Sequence, residues 1–315
     1  MFDRAALQAA LTDSPRVARV VVAEVQGSGP REVGAAMLLW PGGQTGTIGG
    51  GTLEHQATLN ALALLPQGGS RLDRIPLGPA LGQCCGGAVT LVTEVFTKST
   101  LPQGPIVARS IDGSPMPLSV QRLLTQARGQ GAQPITQMLQ GWLIEPVLTP
   151  KRQLWLWGAG HVGRAIAAVM APLPDLSITW VDVALDRFPD AVPLGVTALP
   201  APDLAQAIAL APRDAEHLIL TFSHILDLEI CHSALLHGFS RCGLIGSTTK
   251  WVRFQKRLAA LGHSPYDIAK ITCPIGQPAL GKHPQAIALG VAADFLLQAQ
   301  SPAQAANPKE APCSI

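Results

Sequence analysis

Apolar residues fall in short runs along the chain, and their periods assign most of the elements. Residues 3–11 carry a helical spacing, and residues 17–25 run apolar with five valines, which favours a strand. A loop follows at Gln26-Gly27-Ser28-Gly29-Pro30-Arg31-Glu32-Val33-Gly34, and a second strand over 37–40 stops at Pro41-Gly42-Gly43. Gly49, Gly50 and Gly51 then run into Thr52, a good N-cap, and a helix reaching Leu65 with Leu53, Ala57, Ala61 and Leu64 on one side. Strands are expected at 71–75 and 88–96. From 97 to about 141 the chain is rich in Pro, Gly and Gln with weak periodicity, apart from a helical stretch at 119–127. Residues 142–147 read as a last strand before Leu148-Thr149-Pro150-Lys151-Arg152, which has the composition of a linker.

Beyond the linker the pattern changes. Leu154-Trp155-Leu156-Trp157 is a short apolar strand, and Gly158-Ala159-Gly160-His161-Val162-Gly163 fits G-x-G-x-x-G. An alanine-rich helix opens at 164–170, a strand follows at 177–181, and Asp182 stands at its end, near where a dinucleotide fold places its ribose-binding acid. Further strands at 218–221 and 244–245, helices at 227–237 and 256–261, and a final helix with Pro284 at its first position complete this half. The expectation is an α/β protein: a mixed α/β domain over 1–148, a Rossmann-like doubly wound parallel-sheet domain over 153–300, and a flexible tail over 301–315.

Composition narrows the function classes. Of 315 residues only 14% are charged and 4% aromatic, and a net charge of +2 with no basic run argues against nucleic acid as the main partner. The start of the chain lacks a basic region followed by an apolar core, and no apolar run reaches the roughly 18 residues of a membrane span. Six cysteines with no CxxC spacing encode neither a disulfide framework nor a structural zinc site, and a reducing cytoplasm is expected.

Candidate chemistry gathers at four places. In Gly82-Gln83-Cys84-Cys85-Gly86-Gly87, two adjacent cysteines cannot easily bridge each other, and the glycines let a ligand approach backbone and sulfurs together. A buried small hydrophobe beside an accidental neighbour is the alternative. Arg31 is suited to holding an anion, or is a solvated loop arginine. Gly49, Gly50 and Gly51 outline an anion site at a helix start, or a tight strand-to-helix turn needing positive φ. In the second half His161, Asp182, Ser223, His224 and Ser247 converge by topology beyond the carboxyl ends of the strands, with Gly158, Gly160 and Gly163 in the turn. The alternative for His224 is a capping or hydrogen-bonded turn histidine. Lys282, near the start of the last helix, belongs to a second anion pocket or to a plain loop.

Taken together, these motifs resemble the XdhC/CoxI family of accessory proteins that serve molybdenum hydroxylases. The residues that carry the resemblance are Gly27 to Ala35, Gly46 to Gly51 with Leu53-Glu54, the double-cysteine stretch, the G-x-G-x-x-G turn, Ser223-His224 with Leu226-Asp227, Gly243 to Ser247 with Lys250, and Cys273-Pro274-Ile275-Gly276 with Gly281-Lys282. The resemblance implies a molybdenum cofactor chaperone. It would hold the molybdopterin form, support sulfuration by a cysteine desulfurase, and insert the cofactor into the molybdenum subunit of xanthine dehydrogenase. It also implies a chaperone rather than a turnover enzyme. Thiolates suit soft metal centres, so Cys84 or Cys85 is expected to face the molybdenum, and the apolar composition favours a homodimer. Where the family has Asp-Pro-Arg after the second strand, this chain reads Asp182-Val183-Ala184-Leu185-Asp186-Arg187, which leaves that arginine's role to Arg187 or to no residue. Two other readings compete: an NAD(P)-dependent oxidoreductase binding a dinucleotide at the glycine turn, and a scaffold that bridges two partners.

Overall fold

A computed structural model describes residues 1–78, 87–130, 133–173 and 175–299. Gln83, Cys84 and Cys85 lie outside the described residues, and so does the tail over 301–315. Internal contacts divide the chain into two compact units, Met1–Leu148 and Thr149–Ile315.

The first unit opens with α1 (Arg4–Asp13), capped by Asp3, whose carboxylate accepts the Ala6 N–H at 2.9 Å. An antiparallel sheet follows, built from β1 (Val17–Gln26), β2 (Ala36–Trp40), β3 (Gly43–Gly46), β4 (Ser70–Pro76) and β5 (Ala88–Phe96) in the order β3-β2-β1-β5-β4. Between β3 and β4 runs α2 (Gly51–Leu64). The stretch of weak periodicity folds as β6 (Ile106–Ser110), α3 (Leu118–Gln130) and β7 (Gln137–Leu139), and with β8 (Trp142–Pro146) these strands pair in the order β6-β8-β7. β1 is covered on both faces. Ala18, Val20 and Val22 pack with Leu53, Ala57 and Ala61 of α2, whereas Val21 and Ala23 pack with Leu143 of β8. That double burial is why its sequence reads as a valine run instead of an alternation.

Buried charge ties the two sheets together. Arg19 of β1, 2% exposed, grips Glu145 of β8, 0% exposed, through Nη1 and Nη2 at 2.9 and 2.7 Å. Arg109 of β6 reaches the same carboxylate at 2.7 Å and the Glu94 carboxylate of β5 at 2.6 Å, and the Phe2 ring lies 4.8 and 5.3 Å from the two guanidiniums. Four charges from four strands cancel, as a water-free site requires. Burial alone would raise the Glu145 carboxyl, but Arg19 and Arg109 outweigh it and hold it down at about 2.

The second unit contains β9 (Arg152–Trp157), α4 (His161–Met170), β10 (Leu176–Asp182), β11 (Val196–Pro200), α5 (Leu204–Ala207), β12 (Glu216–Ile219), α6 (His224–His237), β13 (Arg241–Leu244), α7 (Thr248–Ala260), α8 (Pro265–Ile268), β14 (Ile271–Thr272) and α9 (Pro284–Ala299). Its strands are all parallel, in the order β11-β10-β9-β12-β13-β14. Counted from β9 this is the dinucleotide-fold order, with its reversal between β9 and β12. β9 sends Trp155 and Trp157 into one core and Leu154 and Leu156 into the other, so helices cover both faces. Two differences from the sequence pattern have local causes. α6 starts at His224, three residues before the apolar period, because Ser223 caps it; and β11 escaped notice because it is a half-exposed edge strand with little apolar signal. Among the described residues no helix is long and apolar enough to cross a membrane.

His217 of β12 is fully enclosed. Trp157 Nε1–H donates to its Nδ1 at 3.1 Å, which fixes the neutral tautomer with the proton on Nε2. Burial, helped by the charge of His237, pushes its pKa from 6.5 down to about 4.

These two groups give the fold two acid windows. His217 favours the neutral ring, so its contribution is complete above pH 6.5 and is lost as pH falls through about 4. Glu145 favours the charged carboxylate, so its contribution is complete above pH 4.5 and is lost as pH falls toward about 2. Each is worth about 3 kcal/mol. Urea unfolding across pH 7 to 3 is expected to show the upper slope flattened in His217→Gln, which keeps an acceptor for Trp157. Glu145→Gln is expected to cost about 3–5 kcal/mol at neutral pH. An unaltered pH profile in His217→Gln would contradict the assignment.

Candidate functional site

The turn after β9 is set by close backbone packing. The Trp157 carbonyl accepts the Leu220 N–H at 2.9 Å, which brings the end of β12 beside it. Gly158 has φ 115°, and a Cβ there would stand 2.5 Å from the Leu220 carbonyl oxygen. A Cβ at Gly163 would stand 2.0 Å from the Gly158 carbonyl oxygen, so α4 can approach β9 only with glycine at that position. Gly160 is different. Its φ of −72° suits any residue, and a Cβ would meet nothing within 4 Å. The space before it is open, and no side chain caps the first turn of α4.

Asp182 stands where a ribose-binding acid would, but it faces inward. Only 1% exposed, its Oδ2 accepts the Ala159 N–H at 2.6 Å and its Oδ1 accepts the Val183 N–H at 2.7 Å. Arg187 Nε lies 3.5 Å from the same carboxylate, and its guanidinium sits 4.8 Å from the ring centre of Phe222, which is 64% exposed. Arg164 donates to the Ala159 carbonyl at 3.1 Å and to the Arg187 carbonyl at 3.0 Å. These arginines place positive charge around the open turn, beside which His161 is exposed.

His224 is exposed at the start of α6, its ring 6.4 Å from that of Phe254. The cap is Ser223, which accepts the Ile225 N–H at 3.2 Å, so His224 is not a capping residue. Behind it lies a network that the sequence pattern did not mark as a unit. Asp227 accepts from the Thr221 N–H at 2.9 Å, the Thr221 hydroxyl at 2.7 Å and Lys250 Nζ at 2.6 Å, and Lys250 also donates to the Ile245 carbonyl at 2.8 Å. A Cβ on Gly246 would meet Lys250 Cδ at 2.8 Å and Cys273 Sγ at 3.2 Å, so the thiol adjoins this pair. Burial pushes Cys273 up to about 11 despite Lys250, which makes it a neutral structural thiol. The signal that could have found the network is one acid and one lysine, each in the first turn of a helix that follows a parallel strand. Lys282 is exposed between Gly281 and α9 and makes no ion pair or hydrogen bond among the described residues.

In the first unit, three glycine-bearing segments meet at one end of the five-stranded sheet. A Cβ on Gly49 would stand 2.5 Å from Pro30 Cβ and 3.5 Å from Arg31 Cγ, and one on Gly87 would stand 2.4 Å from the carbonyl oxygens of Gln26 and Ser28. The Leu77 N–H donates to the Gly87 carbonyl at 2.7 Å, which holds Gly87 against the loop that carries Arg31. Arg31 forms a two-pronged pair with Glu32 at 3.2 and 3.0 Å on the surface, a weak interaction that leaves its charge available. The glycine turn itself is filled. The Glu54 carboxylate accepts the Ile48 N–H at 3.0 Å, the Gly50 N–H at 3.1 Å and the Thr47 hydroxyl at 2.5 Å. Burial works against this charge, but those hydrogen bonds prevail and lower its pKa. Thr52 is not the cap. Gly50, with φ 74°, holds that position with no side-chain bond, and Gly51, with φ 64°, begins α2. Among the described residues no cluster of three or more His, Cys, Asp or Glu could hold a metal ion.

The strand order, the required glycines and the open Gly160 turn define a Rossmann-type domain joined to a smaller antiparallel α/β unit. The family description "XdhC Rossmann domain" matches residues 154–295, and "XdhC and CoxI family" matches residues 10–76. The chain belongs to the XdhC and CoxI family. It is 24% identical over 280 residues to the protein YqeB of Escherichia coli K12, a match over 87% of this chain and 42% of YqeB, so it spans less than half of that relative. A crystal structure from Bacillus halodurans, titled a xanthine dehydrogenase, shares the fold with a TM-score of 0.69 over 98% of both chains at 19% identity.

The two kinds of glycine are separable by mutation. Gly163→Ala is expected to cost about 2 kcal/mol or more in urea unfolding, because backbone must shift to admit the methyl group. Gly160→Ser, at a helix N-cap with room for a side chain, is expected to stay within about 0.5 kcal/mol of the parent chain. Equal stabilities for the two variants would contradict the geometry.

Proposed function

We propose that the chain is a molybdenum cofactor carrier for the maturation of xanthine dehydrogenase. It binds the molybdopterin form, shelters it while a cysteine desulfurase supplies the terminal sulfur, and delivers it to the molybdenum subunit. Membership of the XdhC and CoxI family supplies the setting. The single observation that separates this reading from a nicotinamide oxidoreductase is the inward turn of Asp182. Its carboxylate is committed to the Ala159 and Val183 N–H groups, so a dinucleotide at this turn would be held through its phosphates alone.

What remains open suits a phosphate-bearing ligand. Gly160 lets an anion reach the uncapped start of α4, with His161 exposed beside it, and Arg164 and Arg187 add positive charge around it. The Gly49–Gly51 turn is a poorer cradle, because an incoming phosphate would have to displace the Glu54 carboxylate from the same donors. Arg31 stands next to that turn, and Cys84 and Cys85 are the soft donors proposed for the molybdenum. The bound cofactor supplies the metal chemistry. The chain's own residues bind it, orient it and exclude water, and no residue of this chain turns over a substrate.

Loading tests the proposal. Full-length protein purified under reducing conditions from cells that make the cofactor is expected to carry molybdenum and pterin. Gly160→Ser is expected to retain at least tenfold less pterin, and Cys84→Ala or Cys85→Ala to lose molybdenum. NADH is expected to give no turnover. Undiminished loading in all three variants, or stoichiometric NADH oxidation, would overturn the reading.

A further inference from the structure

At the opposite end of the six-stranded sheet from the glycine turn, near the amino ends of β9, β12 and β13, the packing of α9 leaves a cavity of about 120 Å³. Leu154, Leu218, Val291 and Phe295 line it with apolar surface, and Ile275 closes one side. Charged residues stand at its mouth. Arg241 and Asp294, each partly exposed, face it together with Lys270.

The charges at this mouth are not all spent. Glu216 already accepts Arg152 at 2.5 and 2.8 Å and one bond from Arg241 at 3.3 Å. Lys270 is held by Asp267 at 2.7 Å. Asp294 has only a neutral partner, the Gln277 amide at 2.5 Å, and no cation lies within 4 Å of it among the described residues. Arg241 uses one of its five donors, on Glu216. Burial and the neighbouring Arg152 disfavour its charge, and Glu216 and Asp294 support it, so the Asp294 carboxylate is close enough to be felt. One underused cation and one underused anion thus face a short apolar pit.

A single ion would satisfy one of these groups and leave the other. A neutral apolar molecule would satisfy neither. A zwitterion with a small branched body satisfies both, and a pit of about 120 Å³ takes a short aliphatic side chain while the charged head stays at the mouth. We propose that this cavity binds a small aliphatic α-amino acid, with its carboxylate on Arg241, its ammonium on Asp294 and its side chain against Val291 and Phe295. The site is separate from the Gly160 turn and independent of the carrier reading.

The test uses the full-length protein and needs no molybdenum cofactor, so its failure is distinguishable from failure of that reading. L-valine is the probe, followed by saturation-transfer NMR and by thermal shift. Saturable binding with a dissociation constant on the order of 1 mM is expected for so small a ligand. Isobutyrate and isobutylamine, each lacking one charge, are expected to bind at least tenfold more weakly. Asp294→Asn keeps the acceptor for Gln277 and is expected to weaken L-valine at least tenfold with an unchanged melting temperature in its absence. Val291→Phe, filling the pit, is expected to abolish binding; if it does not fold, Asp294→Asn decides. No saturable signal, equal binding of isobutanol, or undiminished binding in Asp294→Asn would overturn the proposal.

Discussion

Asp182 accepts two backbone N–H groups at 2.6 and 2.7 Å from a site that water scarcely reaches, and one of them, from Ala159, belongs to the turn between β9 and α4. A carboxylate with two charge-assisted bonds in a buried place is among the strongest local restraints a loop can have. It fixes the turn from below, while the β12 backbone presses on Gly158 from the side. The shape of the open space at Gly160 depends on both. An acid so placed stabilises the turn, and both of its oxygens are committed to backbone N–H groups.

The first unit uses the same device with the opposite outcome. Glu54 reaches back from α2 onto the Ile48 and Gly50 N–H groups and occupies the donors that a bound anion would need. In one unit the chain's own carboxylate braces the turn from behind and leaves its mouth clear. In the other it sits in the mouth. Two glycine-rich helix starts that look alike in one dimension therefore differ in what they offer a ligand, and the difference lies in which element supplies the acid.

Much of the architecture was legible in the chain itself. The valine run of β1 followed from burial on two faces, and Gly158, Gly160 and Gly163 between an apolar strand and an alanine-rich helix announced the parallel sheet. The pairing of single charges within apolar strands was not legible. Arg19 and Glu145 are 126 residues apart, and no local period shows that one lone arginine will meet one lone glutamate. β6 was hidden for the same reason, since Arg109, part of that network, breaks its short apolar run. The direction of Asp182 and the occupancy of the Gly49–Gly51 turn were equally invisible, because both depend on which way a carboxylate points and not on where it falls in the sequence. Gln83, Cys84 and Cys85 were read from the sequence alone.

The central claim is delivery, and a transfer experiment tests it most directly. Cofactor-loaded chain is mixed under anaerobic conditions with xanthine dehydrogenase lacking its molybdenum cofactor, and both pterin content and hydroxylase activity are followed. The account predicts that activity appears as pterin leaves the chain, mole for mole, and that Gly160→Ser protein supports neither. Activity without loss of pterin from the chain, or retention of the cofactor in the presence of the apo-enzyme, would contradict it.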